Sequence, residues 1–131
     1  MMKTVKIGVA SDQEIRRRVL DIASGRVKTT AQEPKIWVRS MDEFRKLLSE
    51  KNINLLAAIR SHQPNSVSEL AKQMQEDQGN LTKRLKMLAS FGLVELEEGK
   101  RTRGRTALIP RVTFDRIIPP TIDLNDLRKA A

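Results

Sequence analysis

From Lys3 to Val9 the chain reads KTVKIGV, and Val5, Ile7 and Val9 alternate with polar or small neighbours. This is the period of a strand with one buried face. The period then changes. Ser11 and Glu14 stand at the S-x-x-E spacing of a capping box, and Ile15, Val19, Ile22 and Ala23 recur on one helical face, so a helix is expected from Asp12 to about Ser24. Arg16, Arg17 and Arg18 occupy its other face and read as a solvated surface. Gly25 to Pro34 has no apolar periodicity and reads as a loop or linker, with Gly25 as the helix stop. Lys35 to Arg39, KIWVR, predicts a second short strand.

The strongest helical signal follows. Ser40 and Glu43 form a second capping box ahead of Phe44, Leu47 and Leu48; after a break near Ser49, Ile53, Leu55, Leu56 and Ile59 carry a helical pattern to about Ser61. Gln63, Pro64 and Asn65 interrupt it. Ser66 with Glu69 then starts a short helix over Val67, Leu70, Ala71 and Met74, ending near Gln75. Glu76 to Asn80 reads as a turn, and Leu81, Leu85 and Leu88 mark a further helix that closes at Phe91 and Gly92.

Beyond Gly92 the pattern is that of a hairpin. Leu93, Val94 and Leu96 begin a strand, Glu97 to Gly104 reads as a charged loop, and Thr106 to Ile109 returns as a strand before Pro110. Val112, Phe114 and Ile118 suggest one more strand, stopped by Pro119 and Pro120, and Asp123 to Lys129 a last helical turn.

Charge narrows the partners. Lys and Arg outnumber Asp and Glu 25 to 16, a formal +9 on 131 residues, which favours polyanions and nucleic acid first. No apolar run approaches the roughly 18 to 20 residues of a spanning helix, so no membrane partner is expected. The opening MMKTVKIGVASDQ lacks the apolar core and cleavage site of a secretory signal, and the expected location is the cytoplasm. Cysteine is absent and His62 is the one histidine, which leaves almost nothing for thiolate, zinc or redox chemistry. No Gly-rich phosphate loop or nucleophile–base pair accompanies His62. The expectation is a non-enzyme with no catalytic residues, metal or cofactor, with His62 a surface or capping residue and Trp37 and Phe44 assigned to packing.

Two helices joined by a four- to five-residue turn, the second feeding through a glycine into a hairpin with a basic tip, give the order of a winged helix-turn-helix. On the second helix the leucines face inward and Lys83 lies opposite them, with Gly79 and Lys86 nearby and Asn80 and Thr82 on the flanks. Lysine can bond guanine acceptors or phosphate, and asparagine or glutamine can pair with adenine. Gln78, Asn80, Thr82, Lys83 and Lys86 are therefore the recognition-helix candidates. Any surface helix exposes such residues, and the hairpin tip adds the weight: Gly99 to Arg105 holds Lys100, Arg101, Arg103 and Arg105, four cations in seven residues with no acid among them. These four are the wing candidates for phosphate contact, while Glu95, Glu97 and Glu98 precede the tip.

The segment SVSELAKQMQEDQGNLTKRLKMLASFGLVELEEGKRTRGR resembles the core of MarR-like and ArsR-like winged-helix regulators. Ser66 to Ala71, Asn80 to Leu85, Leu88 and Gly92-Leu93-Val94 match their S-x-x-E-L-A, N-[VL]-[ST]-[RK]-x-L and L-x-x-x-G-L-V signals. With its strand-helix-strand leader and PRVTFDRI ending, the whole chain is also similar to small prokaryotic regulators proposed as antitoxin-like components of toxin-antitoxin modules. The resemblance implies a homodimer on a pseudopalindromic site, with Thr82 and Lys83 as contact positions. The cysteine and histidine clusters of the metal-sensing members have no counterpart here.

The resulting expectation is an α+β, mainly helical fold in three parts. Residues 1–39 form a strand-helix-strand extension and possible dimerisation element, 40–110 a winged helix-turn-helix, and 111–131 a C-terminal strand and tail. The expected function is sequence-specific binding of double-stranded DNA by a homodimeric transcriptional regulator, with repression of a nearby promoter as the consequence. Its rivals are a protein-interaction module or antitoxin-like partner of a toxin, and RNA binding. Four aromatic residues with no tyrosine supply few stacking platforms for RNA.

Overall fold

A computed structural model describes residues 3–26, 34–102 and 104–125. Among the described residues ten elements follow one another in an α+β arrangement: β1 (Thr4–Val9), α1 (Asp12–Ala23), β2 (Ile36–Val38), α2 (Met41–Leu47), α3 (Glu50–His62), α4 (Val67–Met74), α5 (Gln78–Ser90), β3 (Glu95–Thr102), β4 (Arg105–Arg111) and β5 (Arg116–Ile118). The strands form a parallel sheet of order β2-β1-β5 and an antiparallel hairpin β3-β4.

The alternation in β1 turns Val5 and Ile7 inward. Its parallel partner follows suit: Ile7 lies opposite Ile36 and Val9 opposite Val38, and both β2 residues are buried. Gly8, opposite Trp37, has a packing reason for being glycine, since a Cβ there would stand 2.6 Å from the indole Cζ3. On its other edge β1 pairs with β5, Val5 opposite Ile117. The expected strand from Val112 to Ile118 is therefore shorter at its start. Phe114 is buried in the core ahead of the strand, and pairing begins only where Arg116 reaches Thr4.

Helix α1 starts as expected, with Ser11 Oγ accepting from the Glu14 amide at 3.2 Å. Its packing differs from the expectation. No residue of α1 is buried, and Val19 and Leu20 are 59% and 68% exposed. None of its residues belongs to the core cluster, and Ile15 shares a hollow with Trp37, Arg39 and Phe91.

Each helix from α2 to α5 opens on a side-chain cap. Ser40, Ser49, Ser66 and Asp77 accept from the amides of Glu43, Asn52, Glu69 and Asn80. Gln63 and Gln75, both left-handed, close α3 and α4. The cap at Asp77 shortens the expected turn between α4 and α5 to Gln75, Glu76 and Asp77, and makes Gly79 and Asn80 helical. Apolar periodicity starts only at Leu81, which is why the sequence pattern placed the helix start too late. Leu55, Ile59, Leu70, Leu81, Leu85 and Leu88 join the sheet's inner residues in one core cluster.

Gly92, at φ +89, turns the chain out of α5 towards β3. The expected loop from Glu97 to Gly104 is instead largely strand: pairing runs from Glu95 opposite Arg111 to Thr102 opposite Arg105, with an irregularity between Glu98 and Arg101. Charged residues form this ladder because a two-stranded ribbon has no second sheet to demand apolar alternation.

Candidate nucleic-acid interface

The outward side of α5 follows from its leucines. Leu81, Leu85 and Leu88 are each fully buried, and 3.6 residues per turn then places Gly79, Lys83, Lys86 and Ser90 on the far side. Gln78, Asn80, Lys83 and Lys86 are exposed, and Thr82 is half-buried with its hydroxyl donating to the Gln78 carbonyl at 2.8 Å. All five recognition-helix candidates thus lie along one element, about 12 Å from first to last at 1.5 Å per residue. No acidic residue occurs between Gln78 and Ser90, and neither Lys83 nor Lys86 is ion-paired with a described residue. Such a surface can meet phosphate oxygens and base-edge acceptors without displacing an internal partner.

The third cation of α5 has a different role. Arg84 turns back to Glu76 at 2.6 Å and also bonds Asn52 Oδ1 and the Lys51 carbonyl. Asn52 is the buried polar residue of the core, and its amide donates to the Leu47 carbonyl at 2.9 Å. This network fixes the end of α2, the start of α3, the α4–α5 turn and α5 against one another. Sequence reading missed it. The available signal was Asn52 itself, a polar side chain within an apolar helix that needs partners once buried.

The hairpin is anchored at its base. Arg111 donates to the Pro64 carbonyl at 2.8 Å, tying β4 to the α3–α4 connection. Of the wing candidates, Lys100 and Arg101 belong to β3 and Arg105 to β4, whereas Arg103 lies outside the described residues. The backbone separates charge along the ribbon: Glu95, Glu97 and Glu98 lie in the half nearest Arg111, and the cations in the half towards the Gly104 turn.

A second ionic cluster joins the helices to the sheet. Arg60 on α3 pairs with Asp115, whose carboxylate also accepts from the Lys3 amide at 2.9 Å. Lys3's backbone N–H holds the Asp115 carboxyl below its ordinary value; desolvation is the next largest effect and opposes it, and the hydrogen bond and charge of Arg60 add to the lowering. His62, the last residue of α3, is exposed. Among the described residues no group of three or more His, Asp or Glu is placed to hold a metal ion, and no helix is long and apolar enough to cross a membrane.

Among the described residues, five helices, a small parallel sheet and a separate hairpin make this an α+β protein. The chain belongs to the HVO_A0114 family, whose family model matches residues 47–118, more than half of its length. That span runs from the last residue of α2 to the last residue of β5, so it takes in α5, the hairpin and the edge strand together. No curated protein and no solved structure matches the chain.

Proposed function

We propose that the protein is a sequence-specific double-stranded DNA-binding transcriptional regulator, a repressor acting in the cytoplasm as a homodimer. In this reading the fold is a winged helix-turn-helix: α4 and α5 are the helix-turn-helix, α5 enters the major groove, and β3–β4 is the wing. The observation that supports it most is the acid-free outward side of α5, where Lys83 and Lys86 are exposed, with Gln78 and Asn80 exposed in the first turn, on a helix fixed from behind by Arg84 and Asn52. The formal +9 and the cation-rich distal half of the hairpin supply the phosphate attraction that such a helix needs to find its groove.

The test is a mobility-shift titration on mixed-sequence duplex over a salt series. Binding should weaken with salt, log K falling by about 0.9 per phosphate neutralised for each unit of log salt. Selection of bound genomic fragments should then yield a site read twice, once by each copy. No shift at low salt, or binding indifferent to salt, overturns the proposal and favours a protein-interaction role for the same surface.

A further inference from the structure

Between α2, α3 and the segment entering β5 lies an apolar groove of about 730 Å3, walled by Phe44, Leu48, Ile53, Leu56, Phe114 and Ile117. Its charged residues, Arg60 and Asp115, neutralise each other. Ile53 is 48% exposed on this surface. Exposed apolar concavities of this size are where partners bind.

The chain carries a segment of matching chemistry. After β5 come Pro119 and Pro120 and then Ile122 and Leu124, which are 63% and 78% exposed. The sequence continues for six residues beyond Asn125 and adds Leu127. After Pro119, on the groove's rim, the described chain leaves the groove's lining. Ile117, opposite Val5, and Pro119 line the groove, whereas Pro120 and Thr121 line a neighbouring hollow with Gly8, Pro34 and Trp37. Two consecutive prolines favour an extended backbone and resist the reversal that would bring Ile122 back.

We propose that the groove of one copy receives Ile122 and Leu124 from the tail of a second copy, so that two chains exchange tails about a two-fold axis. An apolar groove and an apolar segment on one chain, kept apart by a stiff spacer, are both covered in a single step by reciprocal exchange. Asp123, between the two apolar residues, has a complement in Arg45, which follows Phe44 on α2, is exposed and has no ion pair with a described residue. The exchange specifies the homodimer of the function proposed above, but it needs no DNA. Its test is therefore run without DNA and fails separately from DNA binding.

Because the chain has no cysteine, Ile53→Cys and Leu124→Cys each introduce a unique thiol. Oxidation of the mixed single variants should give a product of twice the chain mass, in which peptide mapping joins position 53 of one copy to position 124 of the other. The double variant should link between chains as well. In sedimentation, the full-length Ile122→Asp/Leu124→Asp variant should be monomeric where wild type is dimeric, with association weakened roughly a hundredfold or more. Its circular dichroism should be unchanged, since both positions are exposed. Val19→Asp/Leu20→Asp, on the exposed side of α1, should leave the dimer intact. A disulfide closed within one chain of the double variant, a wild-type monomer at 100 µM, or a dimer that survives the tail substitutions but not those in α1 overturns the proposal.

Discussion

Lys83 and Arg84 are adjacent in sequence and opposite in consequence. The Lys83 side chain is exposed with no ion pair to a described residue, whereas Arg84 completes the hydrogen bonding of a buried asparagine. Lys83→Ala should cost roughly 1 to 3 kcal/mol on a specific DNA site and far less on random duplex, with thermal stability held within about 0.5 kcal/mol. Arg84→Ala should destabilise the fold by about 1 to 3 kcal/mol in urea denaturation, because the Asn52 carbonyl and Glu76 lose their partner. Equal effects of the two changes on melting would refute this division. Asp115 adds a dependence on pH. A carboxyl held below its ordinary value contributes stability above that value and loses the contribution as pH falls through the lowered one. Asp115→Asn should therefore lower the urea midpoint at pH 7, and the gap to wild type should close in acid, below about pH 4. A gap of constant size from pH 7 to pH 2 would mean that charge is not what the residue contributes.

At the scale of elements, the hairpin offers the clearest separation of affinity from specificity. Arg101→Ala with Arg103→Ala removes two of the four tip cations, so affinity for every duplex should fall and the salt slope should shrink by about 2 units, while the ranking of sites hardly changes. Loss confined to A·T-rich flanks would instead place an arginine in a narrow minor groove. If the folded variant binds every duplex like wild type with an unaltered slope, the tip does not touch DNA. The elements also differ in how plainly the sequence announced them. Ser11, Ser40 and Ser66 marked helix starts because a cap and the amide it serves are three residues apart, within any local window. Asp77 works the same way but precedes a polar first turn, so the start of α5 was hidden until the helix itself was seen. The hairpin strands were underestimated for a related reason: Glu97 pairs with Ile109 and Glu98 with Leu108, and cross-strand pairing leaves no period in a charged run.

Across the whole molecule, the candidate recognition surface was readable because a leucine period fixes its opposite side, and the parallel sheet was not, because its partners are distant. The amide of Lys3 and the carboxylate of Asp115 are 112 positions apart. Exposure of α1 was equally illegible: Val19 reads as part of an apolar helical face with Ile15, Ile22 and Ala23, and nothing local says that the face stays uncovered. The central place of β1 has a consequence for biosynthesis. This strand leaves the ribosome before every element described after it, yet one of its two edges waits for Arg116–Ile118, whose first residue pairs with Thr4, 112 positions earlier. Contacts of such long sequence separation form late and slowly, whereas the helices between them can assemble from neighbours as they emerge. Until Arg116 is added, then, Val5 and Ile7 belong to a strand with an open edge, and a nascent chain halted before that point presents the edge to whatever other strand is near.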